Sequence, residues 1–357
     1  MKQSGLNYGF NDRPKGSVTL VSALQWLIFI MLNNVFIPIV VANLYGLSAR
    51  ETAELVQRTI FVVGVASLMQ VFWGHRLPIV EGVAGLWWSI FILVSENAKA
   101  LGVDPRSLLP SLEGGLIIAG LFMVSVSLTP FFGRVKGLFT PVVTGTYLIL
   151  LALQMSVSFL GKLMGAEKGA FDGKLFIVSL VTIAVTLVLS YKGKGAAKSF
   201  AALGGIGAGW IAYILLGIRP DTEPLPPLEG VFSLPQPFPW GFPRWDSGVI
   251  VASVITSLVL LSNLFASIDV LSSLQAGQVD PASGRRGGIF NGIGDILAGV
   301  FSTIGTTPFS IVVGFIHITG NAARIPFIIA SFLMAIAGLL SPVGRLFTQI
   351  PVVLGTR

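Results

Sequence analysis

The chain has no cysteine and only two histidines, and both shortages exclude kinds of chemistry. Without cysteine there is no disulfide and no thiol nucleophile. Two histidines and scattered carboxylates leave no cluster with the spacing of a metal site, and no P-loop or Ser-His-Asp arrangement is present. We therefore expect no metal, no bound cofactor and no enzymatic activity.

Charge is also scarce, at 11% of residues, against roughly 25% in soluble domains. In its place, 53% of the chain is hydrophobic. About eleven apolar segments between residues 18 and 340 approach the length of about 20 residues with which a helix crosses a bilayer. The sequence predicts an all-α polytopic membrane protein in contact with lipid. Its polar start is too long for the n-region of a signal peptide, so we expect the first helix to be retained.

The net charge of +7 does not indicate nucleic-acid binding, because the basic residues are dispersed singly between the apolar segments. If the segments alternate across the bilayer, Lys and Arg are in slight excess on the side of the N-terminus. We therefore predict a multi-pass protein of the cell (plasma or inner) membrane with a cytoplasmic N-terminus.

Two of the apolar segments are interrupted by Gly, Pro, Ser and Thr. They run from Gly74 to Gly85 (GHRLPIVEGVAG) and from Gly305 to Gly320 (GTTPFSIVVGFIHITG). In hydrocarbon, unwound backbone survives only when it is buried in protein or lines a polar cavity. Broken segments in both halves of a chain are typical of the substrate site of a secondary transporter.

A proline-rich stretch, with eight prolines from Pro220 to Pro243, separates seven predicted crossings from the rest. When the second half is laid over the first at an offset of 229 residues, Asn34 falls on Asn263 and Gly85 on Gly314. Seven crossings per repeat would give the two copies opposite orientations. The predicted parts are a cytoplasmic tail (1–17), a first repeat (18–218), an outer loop (219–246) and a second repeat that lacks its last crossings (247–357).

Five segments carry further motifs. They are ALQWLIFIMLNNVFIPIVVANLYGL, LPIVEGVAGLWW, FTPVVTGTYLILLALQM, PRWDSGVIVASVITSLVLLSNLFASIDVLSS and NGIGDILAGVFSTIGTTPFSIVVGFIHITG. In order and spacing they resemble the nucleobase-ascorbate transporter family, which includes the bacterial uracil and xanthine permeases. The resemblance implies a 7+7 inverted-repeat transporter fold and a homodimer. It also implies that the third and tenth segments each begin with a short strand at the membrane midplane and continue as a half-helix.

The resemblance places the substrate between these half-helices and the eighth helix. The residues that it implies at the site are Val83, Ala84, Gly85, Phe265, Asp269, Phe309, Ser310, Ile311 and Val312. Several of them depart from the family pattern. Phe265 stands where a glutamate is usual, and Ile311 and Val312 stand where Gln or Glu is followed by Asn. Trp26 replaces a histidine. We therefore expect a drier pocket.

Two carboxylates are candidates for proton coupling. Asp269 lies within the apolar segment 249–274, where burial of a carboxylate costs about 2.5–3.5 kcal/mol and favours its protonated form. The alternative is a structural hydrogen bond to Ser262 or Ser267. Glu81, in the first broken segment, could supply the carboxylate missing at Phe265, or pair with Arg76 or His75.

Three other polar residues carry weaker expectations. Asp295, four residues after Asn291, is expected to stabilise the scaffold rather than to take part in transport. Asn34 and Asn263 could face the substrate or tie the first and eighth helices together by amide hydrogen bonds.

The leading hypothesis is a secondary active permease for a purine or pyrimidine nucleobase, or a related heterocycle, coupled to H⁺ or Na⁺. Within transport, a less polar substrate remains open. The alternative of another class is a non-transporting relic or a binding subunit, which the missing crossings would favour.

Overall fold

The structure is a computed structural model. It describes residues 6–129, 132, 146, 172–193, 201–218, 230–272, 274, 280 and 282–348. The predicted crossing at 138–160 apart from residue 146, the first part of the proline-rich loop (219–229) and the last nine residues lie outside this part of the chain.

The described chain is mostly helical, with two short strands. In chain order the elements are α1 (Gly16–Asn34), α2 (Phe36–Leu44), α3 (Ala49–Phe72), β1 (Glu81–Val83), α4 (Gly85–Ala100), a 3₁₀ turn (Pro105–Leu108), α5 (Leu109–Leu128), α6 (Gly173–Lys192), α7 (Ala201–Leu215), α8 (Ser247–Ser272), α9 (Ser283–Val300), β2 (Thr306–Pro308), α10 (Val312–Thr319), α11 (Arg324–Ala337) and α12 (Ser341–Thr348).

Five helical stretches in the described chain are long and apolar enough to cross a membrane. They are Gly16–Leu44, Ala49–Phe72, Pro105–Leu128, Gly173–Lys192 and Ser247–Ser272. Each coincides with an apolar segment that the sequence marks as a crossing. The first is not one continuous helix, because the regular α-helix stops at Asn34 and resumes at Phe36.

Glycines let helices α5 and α9 pack with their backbones in contact. A methyl group built on Gly120 would lie 2.5 Å from the carbonyl oxygen of Gly292, and one built on Gly292 would lie 2.6 Å from that of Gly120. A methyl group built on Gly299 would likewise lie 2.9 Å from the carbonyl oxygen of Glu113. Small residues at such crossings allow close approach without a hydrophobic driving force. Gly292 therefore serves helix packing.

The two strands form one antiparallel pair, and all of their residues are buried. Glu81 is opposite Pro308, Gly82 opposite Thr307, and Val83 opposite Thr306. Ala84 extends the pairing, because its N–H donates to the carbonyl of Gly305 at 2.9 Å. Each strand is followed by a helix, α4 after β1 and α10 after β2. Since the strands are antiparallel, these two helices leave the pair from its opposite ends.

Candidate functional site

The strand pair has two faces, and each is covered by a different helix. Directly opposed residues of an antiparallel pair project to the same face, and successive residues alternate. Glu81 and Thr306 therefore share one face, and Gly82 and Thr307 share the other. Asn291 of α9 contacts Glu81, whereas Asn263 of α8 contacts Thr307. We call these the α9 face and the α8 face.

The paired asparagines of the two halves hold the strands. The side-chain carbonyl of Asn34 accepts the N–H of Val83 at 2.7 Å. Asn263 donates from its amide nitrogen to the hydroxyl of Thr307 at 2.9 Å and to the carbonyl of Pro308 at 3.1 Å. The sequence left two roles open, substrate contact or a bond between helices α1 and α8. The structure instead bonds the Asn34 carbonyl to β1 and the Asn263 amide to β2, while the Asn34 amide nitrogen donates within α1 to the carbonyl of Ile30 at 2.7 Å.

The α8 face combines hydroxyl groups with aromatic rings. Ser267 lies within hydrogen-bond distance of the carbonyl of Pro308 (3.1 Å) and of the hydroxyl of Ser310 (2.7 Å). The ring of Phe309 covers Gly82 so closely that a side chain at Gly82 would overlap it. Phe265 packs against Phe132 with ring centroids 5.0 Å apart. A flat ligand beside this face would meet both polar and stacking partners.

Both helices that follow the strands begin without a side-chain cap. The N–H groups of a first helical turn have no partner four residues earlier in the helix, and they carry partial positive charge. In α10 these groups already bond to the preceding turn, since the N–H groups of Val312, Val313 and Gly314 donate to backbone carbonyls at 3.1–3.3 Å. The start of α4 is therefore the better donor to a ligand. The space next to the first turns of α4 and α10 is not filled by other parts of the described chain. A methyl group built on Gly85 or Gly314 would meet nothing within 4 Å, and Ile311 is 56% exposed. This opening could admit a small ligand with hydrogen-bond acceptors.

Apart from Asp269, the predicted substrate residues divide into two groups. Gly85 and Ile311 are exposed, and Phe309 and Ser310 are half-buried. Five others have buried side chains: Glu81, Val83, Ala84, Phe265 and Val312. For Val83 and Ala84 the backbone N–H is also occupied, by Asn34 and by the carbonyl of Gly305. The exposed and half-buried group therefore forms the surface that a ligand could reach.

The expectation that Asp269 is a buried carboxylate is wrong. Its side chain is exposed, in the last turn of α8. Ser267, two residues earlier, meets β2, and two residues at about 3.6 per turn place Asp269 on nearly the opposite side of the helix. Ser262 donates within its own helix, to Val259, and Ser267 is engaged with Pro308 and Ser310. Neither forms the structural hydrogen bond to Asp269 that the sequence left open. Hydropathy gives the depth of a residue along a helix but not the face on which it lies.

Glu81 is fully buried, on the α9 face of the pair. One carboxylate oxygen accepts from the amide of Asn291 at 3.2 Å, and the other lies 3.7 Å from Nε2 of His75. Of the two partners that the sequence offered, His75 is therefore the neighbour. Asp295 is also fully buried, and it accepts the N–H of Thr306 at 3.1 Å.

The sequence assigned Asp295 to the scaffold and gave Asn291 no role of its own. A signal was present, because residues four apart lie on one helical face. An amide and a carboxylate on one face of an apolar helix indicate a polar partner opposite. Among the described residues, no group of three or more His, Cys, Asp or Glu could hold a metal ion.

The fold and this site define an integral membrane protein with two helices that are interrupted at a shared strand pair. A family model described as a permease family, Xan_ur_permease, matches residues 17–356. The chain therefore belongs to this xanthine and uracil permease family, the nucleobase-ascorbate transporters, as the motifs indicated.

Two relatives agree with this assignment, and a solved structure shows the fold. The chain is 29% identical over 338 residues to YwdJ of Bacillus subtilis (strain 168), which bears a purine permease name; the match covers 93% of this chain and 76% of YwdJ. It is 27% identical to the xanthine permease of the same organism, over 93% of this chain and 74% of that protein. The transmembrane domain of the cyanobacterial bicarbonate transporter BicA has the same fold, with a TM-score of 0.65 at 13% identity, and the match covers 96% of this chain and 88% of that domain.

Proposed function

We propose that the chain is a secondary active permease that moves a purine or pyrimidine nucleobase, or a related heterocycle, together with a proton. The observation that carries the proposal is the opening at the starts of α4 and α10, beside a strand face that offers hydroxyl groups and aromatic rings. Family membership supports a nucleobase as the substrate class.

The proposed binding mode follows from the groups that are open on the α8 face. The heterocycle lies between the starts of α4 and α10, near Phe309, where its ring carbonyls accept from the N–H groups of the first turn of α4. The hydroxyl of Ser310 forms a hydrogen bond with a second polar edge of the heterocycle. Ile311, which is exposed where relatives have a polar side chain, makes the pocket less polar, so the preferred base has at least one apolar edge.

The same proposal includes the arrangement in the membrane. The strand pair lies at midplane between two inverted repeats, the N-terminus is cytoplasmic, and two copies form a dimer in the cell membrane. Opposite exits of α4 and α10 from the pair are what an inverted repeat requires.

Uptake of radiolabelled uracil, xanthine, hypoxanthine, adenine and guanine tests the function. The host cells lack their own nucleobase permeases and are assayed with and without a protonophore. Accumulation that the protonophore abolishes is the expected result. No uptake of any base, with the protein detected in the membrane, would contradict the proposal and favour the relic or binding-subunit alternative.

A pair of serine variants of α8 tests the site. Ser267→Ala removes the contacts with Pro308 and Ser310, whereas Ser272→Ala removes a bond to the carbonyl of Asp269 in the same helix. We expect Ser267→Ala to raise the half-saturating substrate concentration about 2- to 13-fold, since one net hydrogen bond contributes about 0.5–1.5 kcal/mol. Ser272→Ala is expected to match the wild type. Equal effects of the two variants would remove Ser267 from the site.

A further inference from the structure

The α9 face of the strand pair carries a second polar cluster, separate from the opening on the α8 face. It consists of Glu81, Asn291, Asp295, Thr306 and His75, which are at most 1% exposed. Asn291 links two of its members, because its amide nitrogen lies 3.2 Å from Glu81 and 2.9 Å from the carbonyl of Thr306. Asp295 holds the N–H of the same threonine.

Charge in this cluster is not balanced by a basic side chain. No ion pair joins Glu81 or Asp295 to a Lys or Arg in the part of the chain that is described. The titratable groups that face Glu81 are Asp295 of α9 and His75 of the loop before β1; its other neighbours, on α3, α9 and β2, are uncharged. Two buried carboxylates without a cationic partner cannot both be ionised at low cost. The pair therefore retains a proton.

His75 does not neutralise the pair. Its Nδ1 accepts the N–H of Leu77 at 3.0 Å, so the neutral ring carries its proton on Nε2. That nitrogen faces Glu81 at 3.7 Å, beyond hydrogen-bond distance. A neutral His75 thus lies beside Glu81 without supplying a charge.

Several buried polar atoms at the cluster form no hydrogen bond with the described residues. They are Oε1 of Glu81, Oδ2 of Asp295, Oδ1 of Asn291, Oγ1 of Thr306 and Nε2 of His75. The carbonyl oxygen of Asn291 is an acceptor only, so it requires a donor. A protonated carboxyl group is such a donor, which makes these unpartnered atoms an observation independent of the charge argument.

We propose that Glu81 and Asp295 share an exchangeable proton and that this pair, rather than Asp269, is the coupling site; the inference rests on the proposed function. Asp295 communicates with the substrate through β2, since it holds the N–H of Thr306 while the neighbouring Thr307 faces α8. Asn291 is a positioning residue, because it keeps Glu81 and the carbonyl of Thr306 together. The proton moves from water to the carboxylate pair and back, and no covalent bond to carbon changes.

Two isosteric variants, Glu81→Gln and Asp295→Asn, test the pair in proteoliposomes. Asparagine at 295 keeps an acceptor for Thr306. The matched control is Glu96→Gln, which changes an exposed carboxylate that pairs with Lys99 on α4. Each variant is assayed in two ways: exchange of the transported base across the membrane, and its accumulation driven by an imposed pH gradient.

We expect both cluster variants to keep exchange and to lose gradient-driven accumulation, down to the level of wild type treated with a protonophore. The Glu96→Gln control accumulates substrate as the wild type does. Undiminished accumulation by Asp295→Asn would overturn the proposal. So would accumulation by the wild type that follows a sodium gradient and ignores the pH gradient, since the coupling ion would then be Na⁺ and not a proton.

Infrared spectroscopy of the purified protein tests the proton without any transport. The wild type at neutral pH is expected to show the C=O stretch of a protonated carboxyl group, and Asp295→Asn or Glu81→Gln to remove or shift it. Glu113 is the other fully buried carboxylate in the described chain, and it accepts a hydrogen bond from Ser302. Its contribution to the spectrum is identified with Glu113→Gln and subtracted. Absence of the band refutes the shared proton even if the protein transports a base. Its presence in a protein that transports none of the five bases would refute only the proposed function.

Discussion

Asn34 supports β1 through one buried hydrogen bond, and its removal gives the sharpest test of how the site is held. Asn34 is fully buried and accepts the N–H of Val83 at 2.7 Å. In Asn34→Ala this N–H has no side-chain acceptor. A buried donor without a partner costs about 1–3 kcal/mol. Because each 1.4 kcal/mol is a factor of ten, the binding-competent arrangement of β1 becomes about 5- to 150-fold less populated.

The neighbouring residue provides the matched control. Asn33 has the same side chain on the same helix but is half-buried, and its amide donates to the carbonyl of Phe29 within α1. Asn33→Ala removes this bond but leaves no group unpaired, because the carbonyl of Phe29 still accepts a backbone N–H of α1. We expect this variant to stay within about twofold of the wild type, since substitutions away from buried networks usually change stability by at most about 0.5 kcal/mol.

The assay measures the half-saturating base concentration in exchange, together with the thermal unfolding midpoint in detergent. The expected result is a higher half-saturating concentration and a lower midpoint for Asn34→Ala, and little change for Asn33→Ala. Equal behaviour of the two variants would refute the argument that the Asn34 carbonyl positions β1. A lower midpoint with unchanged half-saturation would assign Asn34 to stability alone.

Two further predictions concern the α8 face. Gly82→Ala is expected to displace the ring of Phe309, at a cost of about 1–3 kcal/mol for overpacking, and to weaken substrate exchange. Combining it with Phe309→Leu should restore the unfolding midpoint, and additive losses would contradict the contact. Ile311→Gln is expected to leave the midpoint unchanged and to shift preference in the five-base panel towards bases with more hydrogen-bonding edges. Ile318→Gln, the same change at a 39% exposed position of α10, is the control, and equal shifts would remove Ile311 from the pocket.

Family membership and the two broken segments were predictable because their signals are local, whereas the strand pair within those segments was expected only from the family resemblance. Gly, Pro, Ser and Thr inside an apolar chain mark backbone that cannot remain helical, and the structure has β1 and β2 within the two segments concerned. The predicted crossings were located for a similar reason, since about 20 apolar residues are needed to traverse hydrocarbon. The short break at Val35 was not predicted, because it leaves the apolar run uninterrupted.

The environments of the acidic residues were not predictable in the same way. Asp269 and Asp295 both stand in apolar surroundings along the chain, yet one is exposed and the other fully buried. Their difference depends on which face of each helix meets the strands, and that is set by packing between distant elements. For Asp295 the deciding contact is with Thr306, eleven residues later and in another element.

The strand pair is bonded to helices on both faces, and this limits how it can move. β1 is held by Asn34 of α1 and by Ser67 of α3, whose hydroxyl accepts the N–H of Glu81. β2 is held by Asn263 of α8 and Asp295 of α9. Since β1 and β2 also bond to each other, a displacement of one strand must either break these hydrogen bonds or move the bonded side chains with it. A change of charge at Asp295 acts on one of them directly, so its effect reaches the α8 face through the thickness of a single strand.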